Sequence, residues 1–432
     1  MKPTISRRTF LKRTTAAAVA SAVAPYFVPS SALGKDGSIA ASRRIVMGGI
    51  GLGGQGTRDM RNFMGQKEVQ FVAVCDVMPD RLQAAQELVN ANYGNQDCAA
   101  YKDFRDLLAR KDIDAVLIAT GDRWHPLLSI EAARAGKDVY CEKPMSLTIA
   151  ESRAVADTMK RYGTVYQCGT QRRSMESFAF AVQLARSGKL GKLHTLHAYL
   201  NRGPITENLP PQPVPEGFDW DMWLGPAPYM EYNAQITSWL WNWNYNYGGG
   251  AMTDWGSHCN DLCQWANGTD LAGPVEYEGW AKFPADGFCN TPTDFNVVAT
   301  YADGVKLIMH DKGGSLGVKF EGDEGWVYVD DNGNAETEPK SLLQNRKFAK
   351  LGWTDLANWT GHHGNFLQCV KTRSNPIAWA EVAHRSATTG HIANICVRLS
   401  RKLRWDVQAE RFINDEEANR MLYRAMRSPW QL

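Results

Sequence analysis

From Arg44 to Cys168 the chain alternates short apolar, β-branched runs with stretches of helical periodicity. The runs fall at 45–49, 69–75, 114–120, 137–141 and 164–168, and the helical stretches at 79–91, 126–135 and 148–162. This alternation predicts strand–helix units that build a parallel sheet covered on both faces. Beyond 168 the period drops to two, over 193–200, 275–283, 295–301, 304–310 and 325–330, with Gly and Asp turns between. That pattern predicts a mainly antiparallel sheet with one face open for packing or for a partner. Helical periodicity returns at 361–372 and 381–403. Residues 203–229 hold seven of the 19 prolines and are expected to form a long irregular loop.

The first 32 residues follow neither pattern. SRRTFLK, Ser6 to Lys12, precedes an apolar run of 15 residues over 14–28 that contains Pro25, and small residues follow. A membrane span needs about 20 apolar residues, so the run reads as a targeting segment. Arg7 and Arg8 before Thr9-Phe10-Leu11 resemble a twin-arginine export signal. The expected organisation is an export signal over 1–32, a linker over 33–42, a first domain over 43–168 and a second over 169–432. The protein is then periplasmic or otherwise exported, with the twin-arginine export machinery as a partner.

The 48 Lys and Arg against 46 Asp and Glu include five bases inside that signal, so the remainder is slightly acidic. Such a balance offers no basic stripe for phosphates, and nucleic acid is not an expected partner. At 432 residues, with 44% hydrophobic and 22% charged, the chain has the composition of a globular protein of about two domains. Nine scattered cysteines with no CxxC pair read as buried free thiols, and no metal site is expected from them. Export after folding in the reducing cytoplasm accommodates that count.

Gly51, Gly53 and Gly56 form G-x-G-x-x-G at the end of the first predicted strand, with helix-compatible residues 57–64 behind. The first glycine suits the tight turn, the second lets backbone approach a pyrophosphate, and the third allows close helix packing. With Gly54 and Gln55 they would cradle phosphates at a helix N-terminus. Asp76 closes the second strand 20 residues beyond Gly56, where a carboxylate binds ribose hydroxyls and repels a 2′-phosphate. NAD is therefore the expected cofactor, while Arg81 nearby leaves NADP open.

The run 137–145 ends a strand with Glu142-Lys143-Pro144, at the carboxyl edge where ligands of such sheets bind. In GGGAMTDWGSHCNDLCQWANG, 248–268, an N-cap at Thr253 is expected to open a helix closing near Gly268. Asp254, His258 and Asp261 would then lie on one helical line. Three readings of that line stand open: a metal site of two Asp and one His, a structural histidine bonded by Asp254, and a general base near working pH.

G-x-G-x-x-G with a strand-end Asp, CEKP at 141–144 and D-x-G-x-H around His258 together resemble the glucose–fructose oxidoreductase, inositol dehydrogenase and MocA family (Gfo/Idh/MocA). The likeness runs over residues 43–405 and includes DWDMWLGPAP at 219–228 and RKLRWD at 401–406. It implies a Rossmann domain followed by an α/β domain with an open, mainly antiparallel sheet that often forms a homo-oligomer interface, as dimer or tetramer. It also implies redox chemistry on sugars, glycosides or cyclitols. By this resemblance Lys143, Asp254 and His258 are the catalytic residues, and Thr120, Trp124, His125 and Glu142 line the nicotinamide side. His258 would take the hydroxyl proton, Lys143 would stabilise the reacting oxygen, and Asp254 would hold substrate and histidine in register. Gln171 and Arg172, with Tyr247, are candidates for substrate hydroxyls. Eight of the 15 tryptophans lie between 220 and 280, and such rings could stack on a pyranose. A tightly bound cofactor recycled by a second substrate is expected of an exported member, with NAD-dependent glycoside hydrolysis as the alternative reaction.

Overall fold

A computed structural model of the chain describes residues 39–311, 316–344 and 361–432. The export signal expected over 1–32 lies outside them. The chain divides into a unit Met1–Arg44, described from Ile39 and holding a 3-10 turn over Ala41–Arg43, and a unit Ile45–Leu432.

Six strands form the first sheet: β1 (Ile45–Ile50), β2 (Val69–Cys75), β3 (Ala99–Tyr101), β4 (Ala115–Ile118), β5 (Asp138–Cys141) and β6 (Tyr166–Cys168). Their order is β3-β2-β1-β4-β5-β6 and every pairing is parallel. The order reverses between β1 and β4, which opens a crevice at the carboxyl edge where a ligand can bind. The helices Pro79–Tyr93, His125–Arg134 and Ile149–Tyr162 fall where the periodicity predicts them. Thr148 caps the last through a reciprocal box with Glu151. The sequence pattern missed β3, whose Ala-Ala-Tyr carries little strand propensity.

The second sheet runs β13-β12-β11-β7-β10-β9-β8-β14-β15. Its members are β7 (Leu193–Tyr199), β8 (Glu276–Lys282), β9 (Asp294–Thr300), β10 (Lys306–His310), β11 (Gly317–Gly322), β12 (Gly325–Asp330), β13 (Ala335–Glu338), β14 (Leu403–Asp406) and β15 (Arg411–Phe412). Only β7 and β10 pair in parallel, so the sheet is mixed but mostly antiparallel, as the period-two pattern predicts. One face buries Leu196, Ala198, Val297, Leu307, Val318 and Val327. The helices Gly256–Ala266, Glu176–Arg186 and Ala380–Leu399 pack against the sheet. His197, Tyr199, His310 and Tyr328 alternate onto the other face, half-buried.

The chain does not respect a linear division at Cys168. Helix Gly361–Thr372 returns to the first sheet, and its Phe366, Leu367 and Cys369 share a core with Met47, Phe63, Phe71 and Tyr140. The segment 203–229 is irregular apart from a short helix, Trp220–Leu224. All nine cysteines are buried and free. Among the described residues no helix is long and apolar enough to cross a membrane.

The helix carrying His258 begins at Gly256, not after an N-cap at Thr253, and Trp255 precedes it without a side-chain cap. Asp254 therefore sits in the preceding turn. Asp261 points away from it, receiving Arg173 Nε and Nη2 at 2.6 and 2.7 Å and the Ser386 hydroxyl at 2.6 Å. Asp261 neutralises a buried guanidinium and does not line the cleft that Asp254 and His258 line. Asp261→Ala should lower unfolding free energy by about 3 kcal/mol, because it removes one partner of a buried ion pair. Arg173 Nη2 also donates to Asp270 Oδ1 at 2.7 Å; urea denaturation measures the loss, and a change below about 1 kcal/mol would show that Asp270 alone satisfies Arg173.

Candidate active site

The glycine loop follows from backbone geometry. Gly51 has φ of +80°, and a Cβ there would meet Thr120 Cγ2 at 2.5 Å. A Cβ on Gly56 would sit 2.1 Å from the Gly51 carbonyl oxygen, so helix and strand approach at a distance no side chain permits. The helix Gly54–Met64 starts three residues earlier than its apolar pattern indicates, with no side chain capping its first amides. Nothing lies within 4 Å of a Cβ built on Gly54. An open glycine at uncapped helix amides is a cradle for a phosphate.

Asp76 is buried at the end of β2, where Oδ2 accepts from Leu52 N at 2.8 Å and Oδ1 from Met78 N at 2.9 Å. Burial pushes its pKa up against these two bonds. Arg81 lies over the loop, its Nη1 3.2 Å from a Cβ built on Gly53. This donor set fits a dinucleotide: amides for the pyrophosphate, and a strand-end carboxylate for ribose.

From this loop a cleft of about 820 Å³ runs to the second half of the molecule. Its wall includes Gly51, Gly53, Gly54, Gln55, Asp76, Arg81, Thr120, Trp124, Glu142, Lys143, Gln171, Arg172, Asp254 and His258. Three residues expected at the site do not line it, besides Gly56 in its packing role. His125 is buried, with Nδ1 2.7 Å from Pro144 O and Nε2 3.2 Å from Thr120 O, and it ties two strand-end loops together. Burial depresses its pKa to about 4. Tyr247 donates to Pro228 O at 3.1 Å, and its ring supports the guanidinium of Arg123. Asp261 is held by Arg173.

Lys143 forms an ion pair with Asp254, and Asn242 Nδ2 donates to the other oxygen of Asp254 at 3.4 Å. Burial alone would depress the lysine, but Asp254 and Glu142 outweigh it and the net shift is upward. Asp254 thus orients Lys143 and makes no bond to His258, contrary to the expectation that it would steady the imidazole. His258 is 3% exposed. Its Nε2 lies 3.5 Å from Arg172 Nη1, and its Nδ1 has no partner among the described residues. Burial first, then Arg172 and Lys143, drive its pKa well below the usual value, so the ring is a neutral base.

Arg172 is itself steered by Asp331, whose Oδ1 receives Nε and Nη2 at 2.9 and 2.6 Å, and its guanidinium stands 5.0 Å from the Trp255 ring centre. Gln171 Nε2 donates to Glu142 Oε1 at 2.5 Å and to Tyr140 Oη at 3.2 Å, so its amide nitrogen is committed to the wall. Trp124 donates through Nε1 to Met222 O at 3.0 Å.

The sequence reading missed Asp59, His363, Asp122, Arg123 and Asp331, all in the cleft wall, where Trp239 of the tryptophan cluster also lies. Asp59 and Glu142 share a hydrogen bond; burial raises Asp59 to about 6, and burial with the charge of Asp59 raises Glu142 to about 8. The pair therefore holds a proton at neutral pH. His363 Nε2 closes the cluster 3.0 Å from Asp59 Oδ1. Asp122 and Arg123 directly follow the Thr120 segment, and their position there is the one signal that could have found them.

Comparisons with known proteins agree with this layout. Residues 44–170 match the "Oxidoreductase family, NAD-binding Rossmann fold" and residues 199–432 the "Oxidoreductase family, C-terminal alpha/beta domain", both of Gfo/Idh/MocA. The chain is 32% identical over 150 residues to a myo-inositol 2-dehydrogenase of Thermotoga maritima, covering 35% of this chain and 43% of that protein. It is 35% identical over 173 residues to a glycosyl hydrolase family 109 protein of Shewanella baltica, covering 36% and 37%. These matches span less than half the length of either relative. A WlbA dehydrogenase of Bordetella pertussis, solved in complex with NADH and UDP-GlcNAcA, superposes with a TM-score of 0.62 at 17% identity over 84% of this chain and 99% of that one, which shows the shared fold.

The His258 ring should stay neutral at pH 6. Arg172→Met removes a nearby positive charge and should raise the His258 pKa by roughly one unit. NMR titration of the imidazole measures this, and an unmoved titration would remove Arg172 from the causes of the shift.

Proposed function

The chain belongs to the Gfo/Idh/MocA family of oxidoreductases, and from that premise we propose that it oxidises and reduces a ring hydroxyl of a sugar, glycoside or cyclitol. The observation that carries this reading is one cleft holding three things: a glycine cradle, a Lys143–Asp254 ion pair, and a neutral buried histidine. A nicotinamide dinucleotide bound in the cradle supplies the hydride acceptor for the carbinol carbon.

His258 accepts the hydroxyl proton as the C–H bond breaks, and an uncharged imidazole is the form that can do so. The Lys143 ammonium donates to the same oxygen and stabilises the negative charge that grows there. Asp254 fixes the direction of that ammonium. In the reverse direction His258 returns the proton to the reduced carbonyl. The buried Asp76 favours NAD over NADP, since a 2′-phosphate would face a carboxylate.

The twin-arginine pattern supports export in the folded state with the cofactor already bound, so that a second substrate, and not exchange, returns the cofactor to its starting form. The likeness to a glycosyl hydrolase family 109 protein favours a second reading, in which oxidation is followed by elimination of the aglycone, addition of water and reduction. Product analysis in deuterated water with an aryl glycoside separates the two. Retained aglycone with a ketosugar or lactone supports the oxidoreductase, and free aglycone with deuterium beside the former carbonyl supports the hydrolase.

Protein purified from the periplasm should release NAD on denaturation. Its His258→Ala variant should keep that cofactor and lose about 10²–10⁴-fold in turnover of a polyol. A loss under tenfold would return His258 to a structural role. Replacing Arg7 and Arg8 by lysine should hold the protein in the cytoplasm, and undiminished periplasmic protein would refute the export route.

A further inference from the structure

Asp122 and Arg123, neighbours just beyond β4, both line the cleft, and each has a buried polar atom without a hydrogen-bond partner among the described residues. Asp122 is 1% exposed, and its Oδ2 has no hydrogen-bond partner among the described residues. Arg123 is 2% exposed; Nε donates to Trp223 O and Leu224 O at 3.0 and 3.2 Å, and Nη2 to Trp223 O at 2.5 Å. Its guanidinium is stacked 3.9 Å from the Trp223 ring centre, and Nη1 also lacks a partner among the described residues. Folded proteins leave few buried polar atoms unpaired, because each forfeits its hydration without return. Two adjacent ones in a cleft wall are accounted for by a ligand.

The surroundings say what that ligand presents. Asp122 lies in the field of Asp254, Lys143 and Arg123, beside the ion pair at the reacting centre. Arg123 lies against Trp223, with the Trp241 ring centre 5.9 Å away. Burial, reinforced by Asp254, raises Asp122 well above the usual carboxyl range, and its Oδ2 is an acceptor without a partner among the described residues. Arg123 Nη1 can only donate. A hydroxyl satisfies both, its O–H donating to the carboxyl group and its lone pair accepting from the guanidinium.

We propose that Asp122 and Arg123 grip the substrate hydroxyl next to the one that is oxidised, so that the site selects vicinal diols. The proposal rests on the oxidoreductase reading above. Adjacent hydroxyls also occur on the ribose of a dinucleotide. The grip is assigned to substrate because its neighbours are the Lys143–Asp254 pair and the aromatic wall.

The test pairs deletion of the side chain with deletion of the hydroxyl. Steady-state kcat/KM is measured for the wild type, Asp122→Ala and Asp122→Asn, on a cyclitol or pyranoside that the wild type oxidises and on its singly deoxygenated analogues. Correct folding is checked by circular dichroism, and NADH affinity by quenching of tryptophan fluorescence. For one analogue the wild type should lose at least 10²-fold, since a site built to bond a hydroxyl rejects a ligand without it. Asp122→Ala should lose a similar factor on the parent substrate and almost nothing more on that analogue. Asp122→Asn, which keeps a donor and an acceptor, should recover part of the loss.

Losses that multiply for every analogue would overturn the grip while leaving the oxidoreductase reading intact. So would NADH affinity falling by the same factor as kcat/KM, because it would place Asp122 on the cofactor. A wild type that oxidises no polyol would overturn the oxidoreductase reading, and the grip with it.

Discussion

One ion pair joins the two chemistries of this molecule. Lys143 stands at the end of β5 in the parallel sheet, and Asp254 in the turn before a helix packed on the second sheet, 111 residues further along the chain. Both are largely withdrawn from water, so neither charge is tolerable without the other. Their contact draws the carboxyl edge of the first sheet against the second half of the molecule. Both residues line the cleft between cradle and histidine, so the contact spans its two walls.

The electrostatics of the cleft follow from that constraint. Burial favours neutral forms, so it lowers the pKa of His258 and raises those of Glu142, Asp59 and Asp122. The Lys143–Asp254 pair keeps its charges because each supplies what the solvent no longer does. A neutral base and a fixed ammonium thus coexist within one wall, and the site reinforces the state each side chain needs for polyol oxidation. Arg172 adds to it, since its charge opposes protonation of His258 while Asp331 holds it in place.

How much was legible in the sequence depends on the range of the interactions involved. Gly51, Gly56 and Asp76 act within one strand–turn–helix–strand unit, and their spacing places them in the cleft region with no knowledge of the rest. Both sheets declared themselves through their periods, while β13, with mostly polar Ala-Glu-Thr-Glu, carried no apolar alternation to read. Asp261 lies three residues beyond His258 in the same helix, yet it is taken by Arg173, a partner 88 residues away that helical spacing does not show. Trp239, among the tryptophans whose clustering suggested ring stacking, lines the rim and is 50% exposed. Asp59 and His363 meet across 304 residues, only because helix Gly361–Thr372 returns to the first sheet. Tertiary packing creates such pairs, and single-sequence periodicity carries no trace of them.

The most direct measurement is a double-mutant cycle on the pair itself, reading kcat/KM for cofactor reduction by a polyol in Lys143→Met, Asp254→Asn and the combined variant. If Asp254 acts by holding the Lys143 ammonium on the reacting oxygen, the combined variant should lose no more than the worse single one. Losses that multiply would mean that the two residues serve the reaction independently, and would contradict the view that their contact organises the site.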